Sequence, residues 1–300
     1  MSLPIIDAHV HLFPEDVPLH WERYAARDPW FAALTRKPED GRGTEEAWAT
    51  APEALACAQA AGIGHLVLQG WYWNDPDLMR EHNDYMADLV RRYPGRFTAF
   101  ASINPCFDDQ ALYEIERCRA LGFTGVGELG PGGNGYDFTD PRLFAVLEAA
   151  QAFGMPVCIH CGEPVGHAYP GKDLTPLAPL LGIARRLPDL TLILAHQGGG
   201  LLFYEVYPEV RAALHNVYYD LAANPLLYRV DSVRRAAALA GSERLLYGSD
   251  FPLLLYPSRC REMDFSLFVN DLRENAGLDE DTWRTVMHDN AARLFGLESV

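Results

Sequence analysis

Short apolar runs rich in β-branched and aromatic residues recur along the chain, at IIDAHVHL (5–12), HLVLQG (65–70), FTAFASIN (97–104), TGVGELG (124–130), MPVCIHCG (155–162), TLILAHQGG (191–199), NVYYDLAA (216–223) and RLLYGSDFP (244–252). Each reads as a strand, and segments of helical period follow, among them 44–62, 76–93, 109–122 and 141–154. Several of these helices open on a capping residue and end on Gly. Strands that are apolar on both faces are buried on both faces, which points to a parallel sheet. Eight βα units with right-handed crossovers close most simply into an α/β (β/α)8 TIM barrel, a single domain over 1–300, with an open doubly wound sheet as the runner-up.

The strands follow one another at roughly 25 to 36 residues, except that about 50 separate the first two. The excess, residues 13–45, is rich in Pro, charge and aromatics and reads as an insertion or lid near the barrel mouth. The segment 277–300 reads as two short C-terminal helices, the last capped by Asp289 or Asn290.

Composition narrows the partners. With 300 residues, 49% hydrophobic and 22% charged, the chain can bury a large core. A formal net charge of −16 repels phosphate backbones and anionic lipid, so neither nucleic acid nor membrane is an expected partner. No apolar stretch reaches the roughly 18 to 20 residues of a membrane span and no secretory signal opens the chain, so a cytoplasmic location is expected. The six cysteines then read as reduced thiols, and Cys158 and Cys161 as core residues, because positions three apart on a strand face opposite sides. A homodimer is left open.

The candidate chemistry gathers at strand ends. Asp7, His9 and His11 alternate along the first strand and share one face. Glu128, His160, His196 and Asp250 stand at the ends of strands four, five, six and eight, where barrel enzymes place their chemistry. Without a cation, so many polar groups at an apolar barrel would be costly, and imidazole with carboxylate suits Zn²⁺ or a similar divalent ion. His20, His65, His82, His215 and His288 read as surface or capping residues. Trp71, Tyr72, Trp73 and Asn74 follow strand two and could wall a pocket for a planar small-molecule substrate. His167, Tyr169 and Lys172 follow strand five and could meet an anionic substrate group. The glycine runs 132–135 and 197–200 lack the ending of a phosphate loop and read as tight turns.

IDAHVHLF, CIHCGEP, LAHQGGG and YGSDFP together resemble the signatures of the amidohydrolase superfamily, in its amidohydrolase-2 branch, which includes aminocarboxymuconate-semialdehyde decarboxylase-like, resorcylate decarboxylase-like and dicarboxylate lactonase-like enzymes. The resemblance implies that His9, His11, His160 and Asp250 surround a catalytic divalent metal, with His196 as a second-metal ligand or catalytic base. VGELG is similar to the strand-four glutamate of TatD-like hydrolases. On that likeness His9, His11 and Asp250 hold one ion, His160 and His196 a second, and Glu128 bridges them. The alternative keeps one ion, with His196 and Glu128 behind it. The resulting expectation is a hydrolase that cleaves an ester, lactone or amide of a small carboxylated substrate with metal-activated water, Asp250 moving the proton. Zn²⁺ is the expected ion and Mn²⁺ the alternative. A metal-dependent non-oxidative decarboxylase is the rival within enzymes, and a metal-retaining binding protein the rival outside them.

Overall fold

Eight parallel strands pair in chain order: β1 (Ile5–Val10), β2 (Ile63–Leu68), β3 (Phe97–Ala101), β4 (Gly125–Leu129), β5 (Val157–Ile159), β6 (Leu192–Leu194), β7 (Val217–Asp220) and β8 (Leu245–Leu246). A parallel bridge between Val10 and Phe251 brings the far edge back to β1, supported by Ala8 N–H to Tyr247 O and His11 N–H to Phe251 O. The chain is therefore a (β/α)8 barrel, as its alternating pattern predicts. This computed structural model describes residues 3–35, 48–166, 168–169 and 172–297.

Two apolar layers hold the barrel. Ile6, Ala8, Val67, Phe100, Cys158, Ile193 and Leu246 fill its interior, and Phe295 meets Phe100 edge-on at 5.5 Å. The outward residues of the same strands pack on the surrounding helices in a larger cluster that contains Cys161. Cys158 and Cys161 thus sit in separate layers as buried free thiols, as strand alternation requires. The crossover helices start where their caps dictate: Thr50 and Glu53 form a reciprocal capping box on Ala51–Ala60, and Asp75 caps Pro76–Arg92.

Some expectations need correction. The apolar runs overshoot the strands at their C-terminal ends, most at β6 and β8, where left-handed residues His196, Gln197 and Asp250 break the extended backbone. The two C-terminal helices, Glu280–Arg284 and Asn290–Phe295, are joined through a π-type turn, Thr285–Asp289. Asp289 is consequently helical and bonds Arg284 instead of capping. His65 and His82 are buried, not superficial. His65 bonds Thr98 Oγ1 and Gly95 O, while His82 accepts from Trp73 Nε1 and donates to Leu12 O. Burial pushes His82 down to about 3, which keeps it neutral.

Among the described residues the insertion contributes three short helices, Asp16–Leu19, Trp21–Arg27 and Pro29–Thr35. Phe13, Val17, Tyr24 and Phe31 pack there against Trp71, Trp73, Leu78 and Met79 from the β2 side. Residues 36–45 of the expected lid and 298–300 of the C-terminal segment lie outside the described residues. Among the described residues, no helix is long and apolar enough to cross a membrane.

Candidate metal centre

Alternation along β1 turns His9 and His11 to the same side, and their Nε2 atoms stand 3.2 Å apart. His9 Nδ1 donates to Asp220 Oδ2 at 2.8 Å, so a neutral His9 presents its Nε2 lone pair to the cluster. Asp220, the last residue of β7, also accepts from the backbone N–H of His196 and of Ala222 through Oδ1. It is a buried carboxylate of the cluster that the sequence reading missed. An acid closing an otherwise apolar strand was the available signal.

Glu128 enters from β4, where Gly127 is indispensable. Its φ is +139°, and a Cβ there would lie 2.6 Å from Cys158 O. Glu128 Oε2 lies 3.8 Å from His9 Nε2 and 3.7 Å from His11 Nε2. Asp250 Oδ1 approaches the same two nitrogens at 3.6 and 3.4 Å. The other oxygen of Glu128 faces a second pair: His160 Nδ1 at 3.0 Å and His196 Nε2 at 3.6 Å, themselves 3.2 Å apart. His196, Gln197 and Asp250 all adopt left-handed backbone, and the glycines of 198–200 continue it after β6. Such strain collects where the surrounding fold fixes functional side chains.

All six rim residues named from the sequence thus converge. The Nε2 atoms of His9 and His11 and the oxygens Glu128 Oε2 and Asp250 Oδ1 stand 3.2–3.8 Å from one another across every pair that includes a histidine. Donors about 2.0–2.2 Å from a common centre stand roughly 3.4 Å apart in a tetrahedral set. Two buried carboxylates and imidazole lone pairs aimed at one point require a positive species between them, either protons on the histidines or a cation. The donor set fits a divalent ion. Cys158, near His9, is an inner-barrel thiol held up at about 12 by burial and is no thiolate donor.

Electrostatics agrees. Burial opposes charge on Glu128, yet the His160 and His9 imidazoles hold it well below the ordinary carboxylate range. Burial likewise opposes charge on Asp250, and the bond to His11 with the charges of His9 and His196 brings it to about 2. His196 is raised to about 9 against its burial by Glu128 and Asp250, and His9 is likewise raised, against its burial, by Asp220 and Glu128. A metal must displace those protons. Mn²⁺ affinity should therefore climb between pH 6.5 and 9, with release of roughly one to two protons per chain measurable by calorimetry in buffers of different ionisation enthalpy. In metal-free protein the His196 contribution to stability is fully present below 6.5 and is lost as pH rises through about 9, so its melting temperature should fall over that interval while metal-loaded protein resists.

The surroundings divide the expected substrate contacts. Trp71 meets His11 edge-on at 5.6 Å and stacks on Tyr72 at 4.8 Å, and Tyr72 lies 6.0 Å from the His160 ring. Trp73 differs from its expected role: it is 1% exposed, stacked on Phe31, and donates its indole N–H to His82, so it supports the wall from behind. Lys172 bonds Glu163 at 2.8 Å and Tyr169 reaches the same carboxylate at 3.3 Å, so the cation of the β5 loop is paired with an acid of that loop. His167 lies outside the described residues.

Residues 6–297 match the family model described as Amidohydrolase. The chain is 24% identical to 2-amino-3-carboxymuconate-6-semialdehyde decarboxylase of Dictyostelium discoideum over 76% of this chain and 70% of that protein. Among solved structures, 5-carboxyvanillate decarboxylase from Sphingomonas paucimobilis superposes with a TM-score of 0.77 at 20% identity, covering 98% and 99% of the two chains. Dihydroxybenzoic acid decarboxylase from a Polaromonas species, with bound manganese and the inhibitor 2-nitroresorcinol, gives 0.68 at 19% identity over 100% and 98%. The structural likenesses establish a common fold. The decarboxylases among these relatives overturn the expectation of a hydrolase. That expectation rested on the likeness to metal hydrolases and on metal-activated water, but imidazoles and carboxylates around an ion serve water activation and carboxylate binding equally well, so the rim residues carried no information on the bond cleaved.

Proposed function

Because the chain belongs to the amidohydrolase family, we propose that it is a metal-dependent, non-oxidative decarboxylase of a planar aromatic or unsaturated carboxylic acid. The observation that carries this reading is the four-donor cup of His9, His11, Glu128 and Asp250 lying beside the stacked Trp71–Tyr72 pair. A carboxylate binder and a flat apolar wall then stand side by side. The named decarboxylases support the same chemistry.

His9, His11, Glu128 and Asp250 would hold the ion, and manganese in the Polaromonas relative makes Mn²⁺ the first to test. When bound, a divalent ion supplies fixed positive charge for a substrate carboxylate. A second ion has its own supporting observation, the set of Glu128 Oε1, His160 Nδ1 and His196 Nε2.

Loss of CO₂ leaves an electron pair on carbon, and one proton must replace the departing group. The Asp250 side chain is 14% exposed, more open than Glu128 at 2%, and occupies the edge of the cup. Its carboxylate takes up a proton from the substrate hydroxyl or solvent and delivers it to that carbon. His196 holds its Nδ1 proton on Ala222 O, which turns its Nε2 toward the Glu128 carboxylate. Trp71 and Tyr72 keep the ring flat against the cup.

Turnover of dihydroxybenzoate or 5-carboxyvanillate in D₂O tests the chemistry. The expected product carries one deuterium at the carbon that lost its carboxylate. A product that retains the carboxylate and gains the elements of water would refute the reading.

A further inference from the structure

The segment Trp71–Asn74 follows β2 without helix or strand, yet its first three carbonyls are held by side chains from elsewhere in the chain. Ser102 Oγ donates to Trp71 O, Asn134 Nδ2 to Tyr72 O at 2.9 Å, and Asn104 Nδ2 to Trp73 O at 3.0 Å. These anchors come from the barrel. One anchor does not: Asp28, in the insertion after β1, is fully buried and accepts the backbone N–H of Asn74 at 2.7 Å through Oδ2. Its Oδ1 accepts from Trp30 N and Phe31 N at the start of helix Pro29–Thr35 and, at 3.4 Å, from Asn74 Nδ2.

A buried carboxylate that relies wholly on N–H donors is costly unless all of them stay in place. Here the donors belong to two segments, the insertion and the wall loop, so neither can shift without stranding the charge. Asn74 passes the constraint on, since its Nδ2 donates to Gly133 O at 2.9 Å and its Oδ1 accepts from Asn134.

Resting on the decarboxylase reading for its functional consequence, we propose that Asp28 is a positioning residue that fixes the Trp71–Tyr72 wall through Asn74, so that the inserted segment sets how tightly a planar substrate is gripped.

Asp28→Asn separates this role from simple helix capping. Asparagine caps a helix as well as aspartate does, so the Oδ1 contacts to Trp30 and Phe31 survive. Its amide nitrogen, however, then opposes the Asn74 N–H, donor against donor. The variants Asp28→Asn, Asn74→Ala and their double mutant are compared with wild type, all loaded with Mn²⁺ and labelled with 5-fluorotryptophan. The Trp71 fluorine resonance is assigned by Trp71→Phe. The expected result is a displaced or broadened Trp71 resonance and a Kd for 2-nitroresorcinol raised roughly tenfold in Asp28→Asn, with unchanged metal content. The double mutant should bind no more weakly than the worse single variant, because both act on one tie. A Trp71 resonance at its wild-type position in Asp28→Asn overturns the proposal, as do additive losses in the double mutant. Wild-type protein that fails to bind 2-nitroresorcinol counts against the decarboxylase reading, and the fluorine spectrum by itself then decides whether Asp28 positions the wall.

Discussion

Asp250→Asn is expected to lower the rate of CO₂ release by a factor of about 10² to 10⁴, the range associated with loss of a proton-transfer group. The substitution is well suited to isolate chemistry from folding. Asp250 has a φ of +68°, a region that asparagine tolerates nearly as well as aspartate. Its backbone N–H bond to His9 O at 2.9 Å needs no side chain. The amide oxygen can still face His11 and His9 where Oδ1 stands at 3.4 and 3.6 Å, so the donor cup keeps its shape while losing one negative charge. What the amide cannot do is accept a proton and hand it on. Elemental analysis should therefore find metal still bound, while product formation followed by chromatography collapses. Turnover within about threefold of wild type would remove Asp250 from the proton path.

The second large effect is expected from a residue that touches no substrate. Asp220→Asn should weaken Mn²⁺ binding by about 10- to 100-fold, the usual consequence of losing the group that orients a ligand histidine. The retained Oδ1 can go on accepting from His196 N and Ala222 N, so the turn after β6 stays anchored. Oδ2 is replaced by a donor facing His9 Nδ1, whose proton then has no acceptor. His9 is free to carry that proton on Nε2, where it blocks the donor atom. Titration followed by the paramagnetic signal of free Mn²⁺ measures the affinity directly, and activity should partly return at high Mn²⁺. Equal affinity in wild type and variant would show that the His9 tautomer is fixed by something other than Asp220.

Asp220 also marks how far the sequence could be read. The barrel was legible because each strand is a buried apolar run and each helix carries its own start and stop signals. His9, His11, Glu128, His160, His196 and Asp250 were legible because ionisable groups at the ends of such runs have no place without a partner. Asp220 follows the same rule on β7 and escaped only because its histidine partner lies 211 positions away. Asp28 was beyond reach, since its donors are backbone N–H groups whose convergence depends on how the insertion folds back on the β2 loop. Trp73 was misjudged for a similar reason: its sequence neighbours Trp71 and Tyr72 reach the histidines, while its own ring turns toward Phe31 and His82. The reaction class was illegible in principle, because the same donors serve two chemistries.

The most direct test of the metal-dependent decarboxylase is therefore the fate of the carboxylate as metal is added. Metal-free protein is titrated with Mn²⁺ in the presence of dihydroxybenzoate and 5-carboxyvanillate labelled in the carboxyl group, and labelled bicarbonate is followed by NMR. Bicarbonate formation that is absent without metal, rises with Mn²⁺ occupancy and vanishes with chelator is the expected result. Fully occupied protein that releases no labelled bicarbonate from these or a wider panel of aromatic and unsaturated acids would contradict the account.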